Sequence, residues 1–140
     1  MKFLILNGPN LNLLGLREPD IYGRQDYAAL TAYIRQVCAD EGLQADILQS
    51  NHEGEIVDAI QHAYYDNIDG IVINPAAYTH TSIAIADALR AVGIPAVEVH
   101  LSNPDEREDY RKISYVRDVC KSVISGHGFE GYVEAIDMLI

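Results

Sequence analysis

The sequence predicts an open α/β fold, with parallel strands in a doubly wound sheet, on three observations. Short apolar runs recur along the chain, and most are closed by Gly, Pro or Asn. Longer amphipathic runs separate them, as in strand–helix–strand units. The chain has 140 residues, 49% of them hydrophobic, enough for one domain with a real core.

The elements follow in order. Residues 3–6, Phe-Leu-Ile-Leu, read as a buried strand stopped by Gly8-Pro9. A long polar loop runs to about Arg24. Asp26 can cap a helix over 27–39 that turns Leu30, Tyr33, Ile34, Val37 and Cys38 to one side, with Gly42 as its stop. A second strand covers 45–48. A second helix covers 53–64, with Ile56, Val57, Ile60 and Ala63 facing inward. The third strand, 70–73, ends at Asn74-Pro75, and the third helix, 81–91, ends at Gly93. A fourth strand covers 96–99, residues 103–117 are polar, a fifth strand covers 120–124, and a last helix covers 132–139. A strand-then-helix alternation carried five times along the chain implies parallel strands covered on both faces. Five strands in a chain this short suggest the flavodoxin-like arrangement, in one domain over 1–140, with no repeat or linker.

The charge balance excludes some partners. The formal net charge is -11, from 10 Lys+Arg against 21 Asp+Glu. Such a chain is ill suited to nucleic acid or an anionic membrane surface. No Lys or Arg lies between Arg35 and Arg90, whereas Arg107, Arg111, Lys112, Arg117 and Lys121 cluster. No run approaches a membrane span, and the apolar start is too short for a signal peptide. Cys38 and Cys120 read as small core residues in a reducing compartment, so the cytoplasm is expected.

Open α/β sheets bind ligands beyond the carboxyl ends of their strands. Those ends carry Asn7, Asn10, Asn12, Arg17, Glu18, Tyr22 and Arg24 in the first loop, then Asn74 to Ser82, then Glu98-Val99-His100-Leu101-Ser102. Glu98 and His100 share a strand face, so the carboxylate can fix the imidazole tautomer. Singly, each residue has a plainer reading: a packed Tyr, a satisfied His, an Asn-Gly-Pro turn, a surface Arg-Glu pair. Together they describe a polar pocket. Glycine-rich phosphate loops and metal-ligand spacings are missing, and no lysine clearly ends a strand, so phosphate binding, a metal centre and imine chemistry are not signalled. On the residues alone an enzyme, a small-ligand sensor and a flavin-binding electron carrier stay open.

A resemblance narrows this. The runs Asn7-Gly8-Pro9-Asn10-Leu11-Asn12, Arg17-Glu18-Pro19 with Tyr22-Gly23, Gln49-Ser50-Asn51, Asn74-Pro75-Ala76-Ala77-Tyr78-Thr79-His80-Thr81-Ser82, Glu98-Val99-His100-Leu101-Ser102-Asn103 and Ser114-Tyr115 resemble the type II 3-dehydroquinate dehydratases in order and spacing, as does the turn at 126–132. The resemblance implies a flavodoxin-like fold. It implies anti elimination of water from 3-dehydroquinate, through an enolate, to 3-dehydroshikimate, without metal or cofactor. It matches Tyr22 to the base, Arg17 to the group that activates it, His100 to the acid and Asn10 to the residue that sets a water against the enolate. It matches Asn74, His80, Leu101, Ser102 and Arg111 to substrate binding, and Asp87 to an aspartate supplied by a neighbouring subunit. It also implies trimers assembled into a dodecamer. The chain departs from the family at Pro104-Asp105-Glu106, where the extra carboxylates are expected to weaken the pull of Arg107 and Arg111 on an anion.

The chemistry is physically feasible. A phenol ordinarily titrates near pH ~10, and bringing it toward neutrality takes about 3–4 kcal/mol of preference for the phenolate. One guanidinium at ~4 Å and an effective dielectric of ~20 contributes about 4 kcal/mol. Arg17 and Tyr22 share a loop with Gly15 and Gly23 as candidate hinges, so the loop is expected to close over substrate.

Overall fold

Five parallel strands, β1 (Lys2–Asn7), β2 (Gln44–Gln49), β3 (Gly70–Asn74), β4 (Ala96–His100) and β5 (Ser122–Ser125), form one sheet in the order β2-β1-β3-β4-β5. This is the flavodoxin-like order, with its reversal between β1 and β3. The computed structural model describes residues 1–16 and 25–140. Among them are the helices α1 (Tyr27–Asp40), α2 (Glu53–Tyr65), α3 (Ile83–Val92) and α4 (Glu130–Leu139).

Strand alternation builds two cores. Phe3, Ile5, Val72, Val97 and Val99 pack with Leu30 and Ile34 of α1 and with Tyr132, Ala135 and Ile136 of α4. Leu4, Leu6, Ile71 and Ile73 face the other way, against Ile56 and Ile60 of α2 and Ile85 and Leu89 of α3. The central strands β1, β3 and β4 are buried almost throughout, as continuous apolar runs require. The edge strand β2 is only half covered, so Leu48 keeps 37% of its surface.

Local chemistry sets the helix ends. The Asp26 carboxylate accepts from the Ala29 N–H at 2.8 Å and starts α1, as expected. Gly42 (φ 71°) and Gly93 (φ 67°) follow α1 and α3 in the left-handed conformation. α3 begins at Ile83 rather than at 81, because the Ser82 hydroxyl caps it by accepting from the Ile85 N–H at 3.0 Å. A 3₁₀ turn, Ala76–His80, fills the space between β3 and that cap. β5 begins at Ser122, later than expected, since a 3₁₀ turn, Arg117–Val119, precedes it. Likewise α4 begins at Glu130, earlier than expected. The alternation also fails once. Between β4 and β5 the chain crosses by three 3₁₀ turns, Pro104–Glu106, Asp109–Arg111 and Arg117–Val119, with no α-helix.

Candidate active site

A cavity of about 510 Å³ opens beyond the carboxyl ends of β1, β3 and β4. It is walled by Pro9, Asn10, Leu11, Leu14 and Gly15 after β1, by Asn74, Ala76, Ala77 and His80 after β3, and by His100 to Pro104, Glu106, Arg107 and Arg111 after β4. Its size suits a small molecule.

The β1 end is shaped by close backbone approach. The Gly8 N–H donates to the Asn74 carbonyl at 2.8 Å. A Cβ on Gly8 would stand 2.3 Å from the Pro75 carbonyl oxygen, so no side chain fits there. Two residues on, Asn10 takes φ 69°, a left-handed conformation that Asn tolerates better than most. Its N–H donates to Asn51 Oδ1 at 3.0 Å, and Gln49 Nε2 donates to the same oxygen and to the Gly8 carbonyl, both at 3.1 Å. The Gln49-Ser50-Asn51 run therefore braces the first loop instead of lining the cavity.

Asn74 ends β3, almost fully buried. Its Oδ1 accepts from the Ala76 N–H at 3.1 Å, and its Nδ2 donates to the Tyr132 hydroxyl at 3.0 Å. His80 reaches the Ile113 carbonyl through Nδ1 at 2.7 Å. A carbonyl can only accept, so Nδ1 carries a proton.

On β4, Glu98 is completely buried and His100 nearly so. His100 Nε2 and Glu98 Oε2 are 2.5 Å apart, and the Ser114 hydroxyl donates to Glu98 Oε1 at 2.8 Å. Both carboxylate oxygens are thus occupied. With Nε2 committed to Glu98, Nδ1 is the nitrogen that His100 has for a ligand. The pair sits on the expected shared strand face. Burial, and then the Glu98 charge, push the neighbouring Cys120 thiol up to about 12. Burial also raises the Cys38 thiol. Neither sulfur is activated as a nucleophile.

Arg111 lines the cavity, its Nε donating to Glu108 Oε2 at 2.7 Å and its guanidinium 5.2 Å from the Tyr110 ring centre. The Glu108 carboxyl is held below its usual range by its own backbone N–H first and by Arg111 second. Glu106 lines the same wall as Arg107 and Arg111. Of the other expected binding residues, Leu101 and Ser102 line the cavity, whereas Asp87 does not. Asp87 is exposed on α3 and paired with Arg90 at 3.2 Å. Tyr22 and Arg17 lie outside the described residues, with Arg24 and Gly23.

Two features escaped the sequence reading. Tyr132 reads as the start of the last helix and the end of the turn at 126–132, yet its hydroxyl donates to Asn7 Oδ1 at 2.6 Å. Ser114 carried no role. The resemblance touches both positions, through Ser114-Tyr115 and the turn at 126–132, but gives neither a role, and their partners Glu98 and Asn7 lie far off in the chain.

The profile of the family described as dehydroquinase class II matches residues 1–140. The chain belongs to this family. A 3-dehydroquinate dehydratase of Lachnoclostridium phytofermentans is 50% identical over 140 residues, covering 100% of this chain and 97% of its own. One from Clostridium perfringens is 51% identical, covering 99% and 96%. The crystal structure of a type II dehydroquinase from Butyrivibrio crossotus is 53% identical, with TM-score 0.96 over 99% of this chain and 97% of that one. The flavodoxin-like sheet of this chain is therefore the family fold, and the cavity opens at the sheet edge where such folds take their ligands.

Proposed function

We propose that this chain acts as a 3-dehydroquinate dehydratase, removing water from 3-dehydroquinate to give 3-dehydroshikimate. The carrying observation is the meeting, on one cavity, of His100 with its buried Glu98 partner and the amides of Asn10 and Asn74. End-to-end membership of the dehydroquinase family supports the same reading.

The elimination needs a base, a group for the enolate oxygen and an acid. Tyr22, activated by Arg17 as the resemblance implies, takes the proton from the carbon next to the ketone. The electrons move onto the ketone oxygen, where Asn10 holds a water that donates to the enolate. As the enolate collapses, the carbon–hydroxyl bond breaks. His100 gives its proton to the departing oxygen, which leaves as water. Glu98 supplies the counter-charge to an imidazolium and fixes which nitrogen does this. The substrate carboxylate is held by neutral donors, namely Asn74, the Ser102 hydroxyl and the backbone N–H groups of Leu101 and Ser102. This suits a chain of net charge -11. His80 and Arg111 hold ring hydroxyls. No metal or cofactor takes part in this scheme.

The resemblance assigns Asp87 to a neighbouring subunit's site, and its exposure on α3 is compatible with that. We read residues 1–140 as one catalytic domain that forms trimers, four to a dodecamer, in the cytoplasm. Among the described residues no helix is long and apolar enough to cross a membrane.

Incubation of the purified protein with 3-dehydroquinate, with and without chelator, is expected to produce ultraviolet absorbance of a conjugated enone at equal rates. No absorbance refutes the activity, and loss on chelation refutes the metal-free scheme. Tyr22→Phe should lower kcat by about 10² to 10⁴, as for loss of a positioned base, with substrate affinity retained. Retained turnover removes Tyr22 from its role.

A further inference from the structure

We infer that Tyr132 is a positioning residue for this reaction: its hydroxyl sets the orientation of the Asn74 amide that meets the substrate. Asn7 and Asn74 are register partners at the ends of the adjacent strands β1 and β3. Tyr132 is fully buried on α4, and its hydroxyl lies between them. It is 2.6 Å from Asn7 Oδ1 and 3.0 Å from Asn74 Nδ2.

A hydroxyl has one proton to give. Here it goes to Asn7 Oδ1, so toward Asn74 the oxygen can only accept. The Ala76 N–H, 3.1 Å from Asn74 Oδ1, fixes the other side of the amide. The reversed amide would set oxygen against oxygen at Tyr132 and N–H against N–H at Ala76. One orientation is therefore allowed. One Asn74 amide hydrogen goes to Tyr132, and the second is left for an acceptor in the cavity, such as a carboxylate oxygen. Burial raises the Tyr132 phenol well above its ordinary range, so the proton that dictates this order stays in place at any working pH. The arrangement extends to the start of α1, where Asn7 Nδ2 lies 3.5 Å from the Tyr27 hydroxyl.

This inference rests on Asn74 being a substrate-binding group, and the test separates the two. Steady-state kinetics on 3-dehydroquinate are compared for the native chain, Tyr132→Phe, Asn74→Ala and the double variant, with thermal melting as the folding check. Tyr132→Phe is expected to raise KM about fivefold to tenfold, the worth of one hydrogen bond, with kcat within about twofold. In the Asn74→Ala background the same change is expected to leave KM where it was. A general structural loss would not vanish in that background. Native KM in Asn74→Ala overturns the Asn74 reading and the inference with it. Raised KM in Asn74→Ala, together with a Tyr132→Phe effect that multiplies onto it or is absent from the native background, overturns the inference alone. Should Tyr132→Phe not fold, Asn7→Ala removes the acceptor of the Tyr132 proton and enters the same cycle, with the same outcomes deciding.

Discussion

Glu98 has no surface, and both of its oxygens are spent, one on His100 and one on the Ser114 hydroxyl. Such a carboxylate orients its partner more than it meets a ligand. Glu98→Gln keeps the shape and removes the charge. It is expected to lower kcat by about 10²-fold, within the range of one positioned acid, and to leave KM nearly unchanged. Kinetics of that variant with native kcat would strip the pair of its role. At this scale the sequence was informative where function follows strand ends. Asn10, Asn74, His80, His100, Leu101, Ser102 and Arg111 are candidates on the sequence, and all line one cavity. Glu98 and His100 could be paired because strand side chains alternate. The role of Tyr132 was not legible, since it meets Asn7 across 125 positions and nothing local records that meeting.

Among the elements, the passage from β1 into its loop is the tightest. Gly8 is needed for the close approach of two backbones: a Cβ there would meet the Pro75 carbonyl oxygen at 2.3 Å, and neither backbone has a flexible end to yield. Gly8→Ala is expected to cost about 1–3 kcal/mol, as overpacking does, and to displace Asn10 and Asn74 together. Gly54, near the start of α2, has nothing within 4 Å of an added Cβ. Gly54→Ala should therefore stabilise by about 0.5–1 kcal/mol. Thermal melting and kcat/KM of the two variants check this. Equal melting temperatures would mean that the β1–β3 approach is looser than described. Caps and stops at Asp26, Gly42 and Gly93 were legible because they are local. The crossover from β4 to β5 was not. Its 3₁₀ turns close on local carbonyls, but the segment between them is pinned from a distance, the Tyr115 N–H donating to the Thr79 carbonyl at 3.0 Å.

For the whole molecule, buried acids govern the alkaline limit. Burial, with the Glu98 charge second, raises Cys120 to about 12, and burial also raises Cys38, Tyr27 and Tyr132. Each binds its proton more tightly folded than unfolded. Their contribution is complete below pH ~9, where the unfolded thiols keep their protons, and is lost as pH rises from there toward the folded values. Melting temperature is expected to fall above pH ~9, and Cys120→Ala should shallow that fall. A flat profile to pH ~11 would contradict the burial of these groups. The same scale shows what the chain determines by itself. Apolar runs, their periodicity and their stops specify five strands, the helices that follow four of them and the edge where a ligand sits, because these depend on neighbours close in sequence. Tertiary structure alone decided the register between strands, the sorting of side chains into two cores and the amide orientation imposed by Tyr132. Those depend on which distant surfaces exclude water together and on which buried polar groups must find partners, and neither is written in any local stretch.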